Sequence, residues 1–118
     1  MSKIVVIFIC LVGVLILGAR GGGGAKDLKI VDGDKVIDVR TRREFRRGYL
    51  KNAINIPYDK IEEEIGDHVQ NKEDRIIVYC LSGQRSGVAK RTLEALGYKN
   101  VINGGSYRRL KKRESAED

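Results

Sequence analysis

The fold of this chain is decided by one stretch, residues 76–89, which reads IIVYCLSGQRSGVA. An apolar, β-branched run without alternation ends at Cys80, and this pattern predicts a strand buried on both faces. A short polar loop with Gly83 follows, and apolar residues then recur at helical spacing until Gly97, a typical helix stop. The stretch therefore predicts a strand, a tight loop and a helix, with Cys80 at the carboxyl end of the strand.

The loop after Cys80 has the features of a site that activates a thiol. Backbone N–H groups of the loop and of the first helical turn can point at the sulfur, and Arg85 adds a positive charge. Such surroundings can lower a cysteine pKa from about 8.5 to roughly 3.5–7.5, and the same donors suit an anionic substrate. The loop contains neither an acid nor a histidine that could serve as a general base. We therefore expect electrostatics alone to generate a Cys80 thiolate, the alternative being an inert buried cysteine.

The segment CLSGQRS at residues 80–86 resembles the active loop of the rhodanese sulfurtransferases in their small single-domain form. The resemblance extends upstream through VIDVR at 36–40 and EFRRGYLKNAINIP at 44–57, and downstream through LGY at 96–98 and NGG at 103–105. Three features depart from the family pattern: Tyr49 stands where a histidine is common, Asn52 stands where a glycine is common, and no tryptophan follows Gly104-Gly105. Together these motifs cover nearly the whole chain after the glycine run of residues 21–24.

This resemblance implies a sulfurtransferase that moves a sulfane sulfur from a small anionic donor such as thiosulfate to a thiophilic acceptor, cyanide or a thiol. Cys80 would be the catalytic residue that carries the sulfur as a persulfide, and Arg85 would bind the donor as the side-chain cation. The other substrate-binding residues implied are the loop residues Leu81, Ser82, Gly83, Gln84 and Ser86. Asp38 and Arg40 would support the loop from the neighbouring strand, with a structural ion pair as the alternative for both. No cofactor and no metal is implied.

Two other functions stay open. The cell-cycle phosphatases share the fold and the Glu44-Phe45-x-x-Gly48 motif, so a phosphatase or arsenate reductase is one alternative. Their loop has five residues between cysteine and arginine, whereas residues 81–84 make four here, and a tetrahedral oxyanion needs the wider loop. A sulfane-sulfur carrier or binding module is the other alternative, because an intact Cys80 and Arg85 do not exclude it.

Composition bounds the size and the partners of the molecule. The chain of 118 residues has room for one small domain, and we expect a monomer. Its two cysteines lie in an apolar run (Cys10) and in the polar loop (Cys80), so no disulfide framework is predicted. The net charge is +7, but basic and acidic residues are interleaved and no nucleic-acid-binding motif is present. We therefore expect no nucleic-acid partner and a solvated basic surface that concentrates small anions.

The N-terminal residues are unlike the rest of the chain. Residues 4–19 form an apolar run with Lys3 before it and Arg20 after it, a length between a signal-peptide core of about 7–15 residues and a membrane span of about 17–25. The positive charge before the run favours an N-in orientation, which places the remaining chain outside the cytoplasm. We expect residues 1–20 to be a signal peptide or transmembrane anchor, residues 21–25 a glycine linker, and the protein membrane-anchored through residues 4–19 or periplasmic.

The rest of the sequence alternates strand and helix patterns. Strands are predicted at residues 28–31, 36–39, 53–56, 76–80 and 100–102, and helices at 41–48, 58–65, from 86, and after an Asn103-Gly104-Gly105 turn. This order predicts a central, mostly parallel sheet of about five strands with helices on both faces. The resemblance implies a rhodanese-like three-layer α/β/α domain over residues 26–113, preceded by an N-terminal hydrophobic helix. Asp38, Arg40 and Cys80 would gather at the carboxyl edge of the sheet. Residues 114–118 are a charged tail, which we expect to be frayed from Lys111.

Overall fold

The computed structural model describes residues 27–117 of the chain. The predicted hydrophobic helix, the signal or anchor segment and the glycine linker, residues 1–25, lie outside the described residues. Within residues 27–117 no helix is long and apolar enough to cross a membrane.

One parallel sheet forms the centre of the described region. Its four strands are β1 (Lys35–Asp38), β2 (Ile54–Asn55), β3 (Arg75–Cys80) and β4 (Asn100–Ser106), in the spatial order β2-β1-β3-β4. Asp38 lies opposite Tyr79, and Cys80 lies opposite Ser106, so the carboxyl ends of β1, β3 and β4 meet at one edge. The unalternating β3 therefore lies between two neighbours, as its sequence pattern predicts, and it presents Cys80 at that edge.

The prediction of about five strands is wrong by one within residues 27–117, because residues 28–31 do not form a strand. The carbonyl oxygens of this segment accept hydrogen bonds from side chains instead, that of Leu28 from Arg113 at 2.7 Å and that of Lys29 from Arg75 at 2.6 Å. The side chains of Leu28 and Ile30 still pack against the core. Leu28 and Ile30 are thus partly buried without strand pairing, whereas Val31 is exposed.

Helices connect the strands. They are α1 (Arg42–Arg46), α2 (Ile61–His68), which follows a 3-10 turn at Tyr58–Lys60, α3 (Gln84–Ala95) and α4 (Tyr107–Glu117). Thr41 caps α1 through the predicted capping box with Glu44. The expectation of a frayed end from Lys111 is wrong, because α4 continues to Glu117 and Glu114 accepts hydrogen bonds from Lys111 Nζ at 3.0 Å and the Lys51 N–H at 2.8 Å.

Apolar side chains pack on both faces of the sheet, which confirms the three-layer α/β/α arrangement. The larger cluster contains Ile37, Val39, Ile56, Ile61, Ile65, Val69, Ile76, Val78, Cys80, Ala89, Leu93, Tyr98 and Val101. The smaller cluster, on the α4 side, contains Val36, Leu50, Tyr79 and Leu110. Because successive strand residues point to opposite faces, Tyr79 faces α4 whereas Cys80 faces α3.

The strand β4 is longer than predicted, and it contains an irregularity where a turn was expected. Val78 pairs with Asn103, but the next residue, Tyr79, pairs with Gly105, which leaves Gly104 as an extra residue. Such a bulge bends a strand and changes the direction of a neighbouring side chain. The bulge follows Asn103, whose side chain contacts the cysteine loop, as described below.

Candidate active site

The loop of residues 80–86, here called the cysteine loop, wraps its backbone around one sulfur atom. The N–H of Gly83 donates to Cys80 Sγ at 2.9 Å, and Ser86 Oγ lies 3.4 Å from the same sulfur. Gly83 precedes α3 with φ of +101°, in the left-handed region that favours glycine. The loop therefore directs hydrogen-bond donors at Cys80, as the sequence pattern predicts.

Two opposing effects act on the thiol. Burial raises the pKa of Cys80, whose residue surface is 0% exposed, because a charged sulfur is poorly solvated there. The Ser86 hydroxyl and the backbone N–H groups of Ser86, Gly83 and Ser82 together outweigh burial, so the pKa is lowered overall. The site thus favours a thiolate, although no carboxylate or imidazole contributes to that shift as a base.

The predicted substrate cation, Arg85, is engaged with a carboxylate. Its Nη1 donates to Glu44 Oε1 at 2.7 Å and its Nη2 to Glu44 Oε2 at 3.1 Å, a bidentate pair that crosses from α3 to α1. The hydrogen bonds from Arg85 lower the pKa of Glu44 to about 2, and those to Glu44 raise the pKa of Arg85. Both side chains are about 30% exposed (29% and 30%), so Arg85 also reaches solvent at the edge of the loop.

The sequence indicated only one of the two roles of Glu44. The spacing Thr41-x-x-Glu44 predicts a capping box, and Glu44 Oε1 does accept the N–H of Thr41 at 2.9 Å. The same carboxylate also holds Arg85, which is 41 positions away in the chain. The spacing of nearby residues cannot indicate a hydrogen-bond partner that is so far away in the sequence. Glu44 therefore links the start of α1 to the cysteine loop.

The predicted supporting pair, Asp38 and Arg40, is buried and makes its contacts elsewhere. Arg40 Nη2 lies 2.6 Å from Asp38 Oδ2 and donates to the Gly48 carbonyl at 2.7 Å. The guanidinium also lies over the ring of Tyr107, 4.2 Å from its centroid. Burial lowers the pKa of Arg40, but the hydrogen bonds and charge of Asp38 more than reverse this effect and leave the pKa raised. These contacts match the structural ion pair that the sequence left open. They hold the segment of residues 47–53 between α1 and β2, here called the Gly48 loop, rather than the cysteine loop.

A second contributor, Asn103, was seen in the sequence only as part of a turn. Its Oδ1 is 2.7 Å from Ser86 Oγ and accepts the Gly105 N–H at 3.0 Å, while its Nδ2 donates to the Gly83 carbonyl at 3.0 Å. Asn103 thus contacts Gly83, whose N–H donates to the sulfur, and the Ser86 hydroxyl, which lies beside the sulfur. A polar residue directly before a glycine pair at a strand end was the available signal.

The remaining predicted loop residues lie at the surface. Leu81 is 56% exposed, and Ser82 and Gln84 are also exposed. His68, at the end of α2, is exposed as well. In the part of the chain that the structure describes, no group of three His, Cys, Asp or Glu side chains is arranged to hold a metal ion.

Known proteins with similar sequences and structures fit this geometry. The chain is 41% identical over 69 residues to the thiosulfate sulfurtransferase PspE of Escherichia coli (strain K12), which covers 58% of the chain and 66% of the relative. It is 34% identical over 76 residues to the putative sulfur carrier protein YrkF of Bacillus subtilis (strain 168), which covers 62% of the chain and 40% of the relative. The chain thus spans less than two thirds of the length of these curated relatives.

A solved structure of a rhodanese with anions from E. coli is 37% identical and matches with a TM-score of 0.62, covering 64% of this chain and 88% of that one. The family model of the Rhodanese-like domain matches residues 25–108. Those residues contain the whole sheet, the helices α1, α2 and α3, and the cysteine loop. This chain belongs to the rhodanese-like domain family.

Proposed function

We propose that this protein is a thiosulfate sulfurtransferase that carries a sulfane sulfur on Cys80. The observation that carries the proposal is the position of the Cys80 sulfur, at the carboxyl end of β3 and 2.9 Å from the donating N–H of Gly83. A thiolate prepared by backbone donors needs no base, and the same donors suit the anionic end of a donor such as thiosulfate. The relatives named thiosulfate sulfurtransferase and rhodanese with anions support this assignment.

In the first step, the Cys80 thiolate attacks the outer sulfur of thiosulfate. A sulfur–sulfur bond forms to Cys80, the bond inside thiosulfate breaks, and sulfite leaves with the electron pair. In the second step, cyanide or a thiolate attacks the outer sulfur of the Cys80 persulfide. The bond within the persulfide breaks, the product leaves as thiocyanate or a new persulfide, and the Cys80 thiolate is restored.

Arg85 contributes to donor binding from the edge of the loop. A guanidinium has five N–H groups, of which Glu44 accepts two. Because the Arg85 side chain is partly exposed, its remaining N–H groups can meet the sulfonate end of thiosulfate. Because Glu44 balances most of the charge of Arg85, we assign the larger share of anion binding to the N–H groups of the cysteine loop.

The donor must reach a sulfur that is fully buried. Cys80 is 0% exposed, whereas the loop side chain of Leu81 is 56% exposed. Turnover therefore requires the cysteine loop to open enough to admit the outer sulfur of the donor. Water is excluded when the loop closes, which protects the persulfide and strengthens the hydrogen bonds of the loop.

A dedicated sulfur carrier is the second candidate, and the resemblance to a putative sulfur carrier favours it. A carrier would form the same Cys80 persulfide but would release the sulfur only to a particular acceptor. Phosphate-ester or arsenate chemistry is less well supported, because the four residues between Cys80 and Arg85 leave little room for a tetrahedral oxyanion. The two sulfur-based functions differ in turnover with cyanide and not in persulfide formation.

The test is sulfur transfer from thiosulfate to cyanide by the full chain, with intact mass after thiosulfate alone. We expect turnover and a mass gain of one sulfur, both lost in Cys80→Ser and both kept in the matched control Cys10→Ser. A mass gain without turnover would assign the carrier function instead. Absence of both signals in a folded protein would refute the sulfur chemistry.

We further propose that the protein acts as a monomer outside the cytoplasm, tethered or exported through residues 1–20. The support is the apolar run of residues 4–19 with Lys3 before it and a glycine linker after it. Cell fractionation with the N-terminal mass distinguishes the two forms, since an anchored chain keeps residue 1 and an exported one begins near residue 21. A purely cytosolic pool would refute the proposal, and light scattering on the purified protein tests the monomer.

A further inference from the structure

Two backbone groups determine the orientation of the Asn103 side-chain amide. Oδ1 lies 3.0 Å from the N–H of Gly105, and Nδ2 lies 3.0 Å from the carbonyl of Gly83. A backbone N–H can only donate and a carbonyl oxygen can only accept. Exchanging the oxygen and nitrogen of the amide would place donor against donor and acceptor against acceptor. The oxygen of Asn103 must therefore face Ser86.

This orientation determines where the Ser86 hydrogen lies. Ser86 Oγ is 2.7 Å from Asn103 Oδ1, and because that oxygen is an acceptor, the hydroxyl donates to it. A hydroxyl has one hydrogen, so Ser86 then offers only a lone pair to Cys80 Sγ, 3.4 Å away. A lone pair suits a protonated thiol, which can donate. A thiolate instead requires the hydrogen of Ser86.

We propose that Asn103 is a positioning residue for the Cys80 nucleophile, whose amide provides the alternative acceptor for the Ser86 hydrogen and holds the Gly83 peptide against the sulfur. When Cys80 loses its proton, the Ser86 hydroxyl rotates and its hydrogen moves from Asn103 Oδ1 to Sγ. Asn103 Oδ1 keeps the Gly105 N–H as a partner, so no buried acceptor is left unsatisfied. The bulge at Gly104 places that N–H within reach of the Asn103 side chain.

The same amide acts on the second donor to the sulfur. The Gly83 N–H donates to Cys80 Sγ, while the Gly83 carbonyl is held by Asn103 Nδ2. One side chain on a neighbouring strand thus supports two of the contacts of the sulfur, those with Gly83 and with the Ser86 hydroxyl. The importance of this arrangement for turnover rests on the proposed function, whereas its effect on the Cys80 thiol does not.

Other charged groups lie around the thiol and must be kept constant in a test. Arg85 on α3 interacts with Cys80 through its charge, and it is paired with Glu44 on α1. The charge of Asp38, which is paired with Arg40 at the end of β1, also acts on Arg85. None of these groups is altered in the variants below.

The test measures the pKa of Cys80 from the pH profile of iodoacetamide alkylation, in full-length chain carrying Cys10→Ser. Asn103→Asp is compared in the Ser86 background and in the Ser86→Ala background. The new carboxylate holds the Ser86 hydrogen more strongly, so it opposes its transfer to the thiolate. The negative charge that Asn103→Asp adds should change the Cys80 pKa equally in the Ser86 and the Ser86→Ala backgrounds. Loop opening changes the plateau rate but not the midpoint of the profile.

We expect Asn103→Asp to raise the Cys80 pKa by about one unit more when the Ser86 hydroxyl is present than when it is absent, the size of one hydrogen bond to a charged group. The matched control is Asn100→Asp, which adds the same charge at an exposed position of β4 and should show no such dependence on Ser86. Equal shifts for Asn103→Asp in both backgrounds would overturn the proposal.

A second variant keeps the proposal testable if Asn103→Asp does not fold. Asn103→Ala removes the competing acceptor, so the Ser86 hydroxyl is free to donate to the thiolate. Asn103→Ala should therefore shift the Cys80 pKa to a lower value in the Ser86 background than it does in the Ser86→Ala background. If Asn103→Ala and Ser86→Ala act additively while circular dichroism shows a folded protein, Asn103 is merely structural.

Discussion

The cysteine loop and the Gly48 loop are both held by an arginine–carboxylate pair, but the two pairs are used differently. Arg40 and Asp38 beside the Gly48 loop have side chains that are 5% and 0% exposed, whereas Arg85 and Glu44 beside the cysteine loop are about one third exposed. The buried guanidinium of Arg40 donates to Asp38 and to the Gly48 carbonyl. The partly exposed guanidinium of Arg85 donates to Glu44 and also reaches solvent. This difference agrees with a structural role for the first pair and with our proposal that Arg85 contributes to donor binding.

The largest expected effect comes from breaking the buried pair. Arg40→Ala leaves the Asp38 carboxylate buried and the Gly48 carbonyl without its donor, so we expect the free energy of unfolding to fall by about 3–5 kcal/mol. Urea denaturation measures this loss. The matched control is Arg42→Ala, whose partner Glu64 is also at the surface and whose loss should cost under about 1 kcal/mol. Similar losses of unfolding free energy in Arg40→Ala and Arg42→Ala would contradict the structural role of the Asp38–Arg40 pair.

Replacing a glycine in each of the two loops by alanine should give the next largest loss of stability. Both Gly48 and Gly83 have positive φ, at +146° and +101°, so alanine at either position costs roughly 1–3 kcal/mol of backbone strain. At Gly48 a Cβ would also lie 2.7 Å from the hydroxyl of Tyr107, whereas at Gly83 the nearest atom would be 3.5 Å away. We expect Gly48→Ala to lower the midpoint of thermal unfolding more than Gly83→Ala, and Gly83→Ala to lower sulfur transfer more. The reverse order would show that the two loops have been assigned the wrong roles.

Arg85→Ala should separate binding from folding. Loss of a hydrogen bond to a charged ligand corresponds to about 1.5–3 kcal/mol, so the KM for thiosulfate should rise by roughly tenfold or more. The free energy of unfolding should change by less than about 1 kcal/mol, because the pair with Glu44 is partly exposed. Arg91→Ala, at an exposed arginine of the same helix, should leave both quantities unchanged. Unchanged kinetics in Arg85→Ala would remove Arg85 from the site.

The smallest expected effect is the pH dependence carried by Glu44. Hydrogen bonds from Arg85 hold its pKa at about 2 in the folded protein, below an unfolded value of about 4.3, so folding favours the charged carboxylate. The resulting stability is present above about pH 5 and is lost as pH falls towards 2. Since the side chain is 30% exposed, we expect about 1 kcal/mol.

Glu44→Gln tests this contribution, because glutamine keeps one acceptor oxygen for the capping box while it removes the charge and the second acceptor of Arg85. The variant should be less stable than the parent at pH 7 and equal to it near pH 2, measured by urea denaturation across this range. Glu62→Gln, at an exposed position of α2, is the control and should follow the parent at each pH. A constant difference between Glu44→Gln and the parent would show that the charge is not responsible.

Much of the local structure was predictable from the residues. The apolar run before Cys80 predicted a strand buried on both faces, and the spacing of Thr41 and Glu44 predicted the cap of α1. Both predictions are confirmed, since burial and capping depend on neighbours within a few positions. Asn52 illustrates the same point, because it stands where a glycine is common and adopts φ of +63°, which asparagine tolerates. The strand predicted at residues 28–31 failed because apolar spacing does not specify which hydrogen-bond partners a segment finds.

By itself, the sequence predicted Cys80 as the candidate nucleophile, predicted its loop, and indicated the family of the domain, because each of these rests on motifs of contiguous residues. Only the tertiary structure decided that Arg85 meets Glu44, that Arg40 turns to Gly48, and that Asn103 reaches the cysteine loop. These partners come from different strand–helix units. They meet because parallel strands bring their carboxyl ends to one edge of the sheet, and because one bulge at Gly104 sets the register there. Residue spacing along the chain indicates which side of a strand or helix is buried. It does not indicate which residues of separate strand–helix units come into contact.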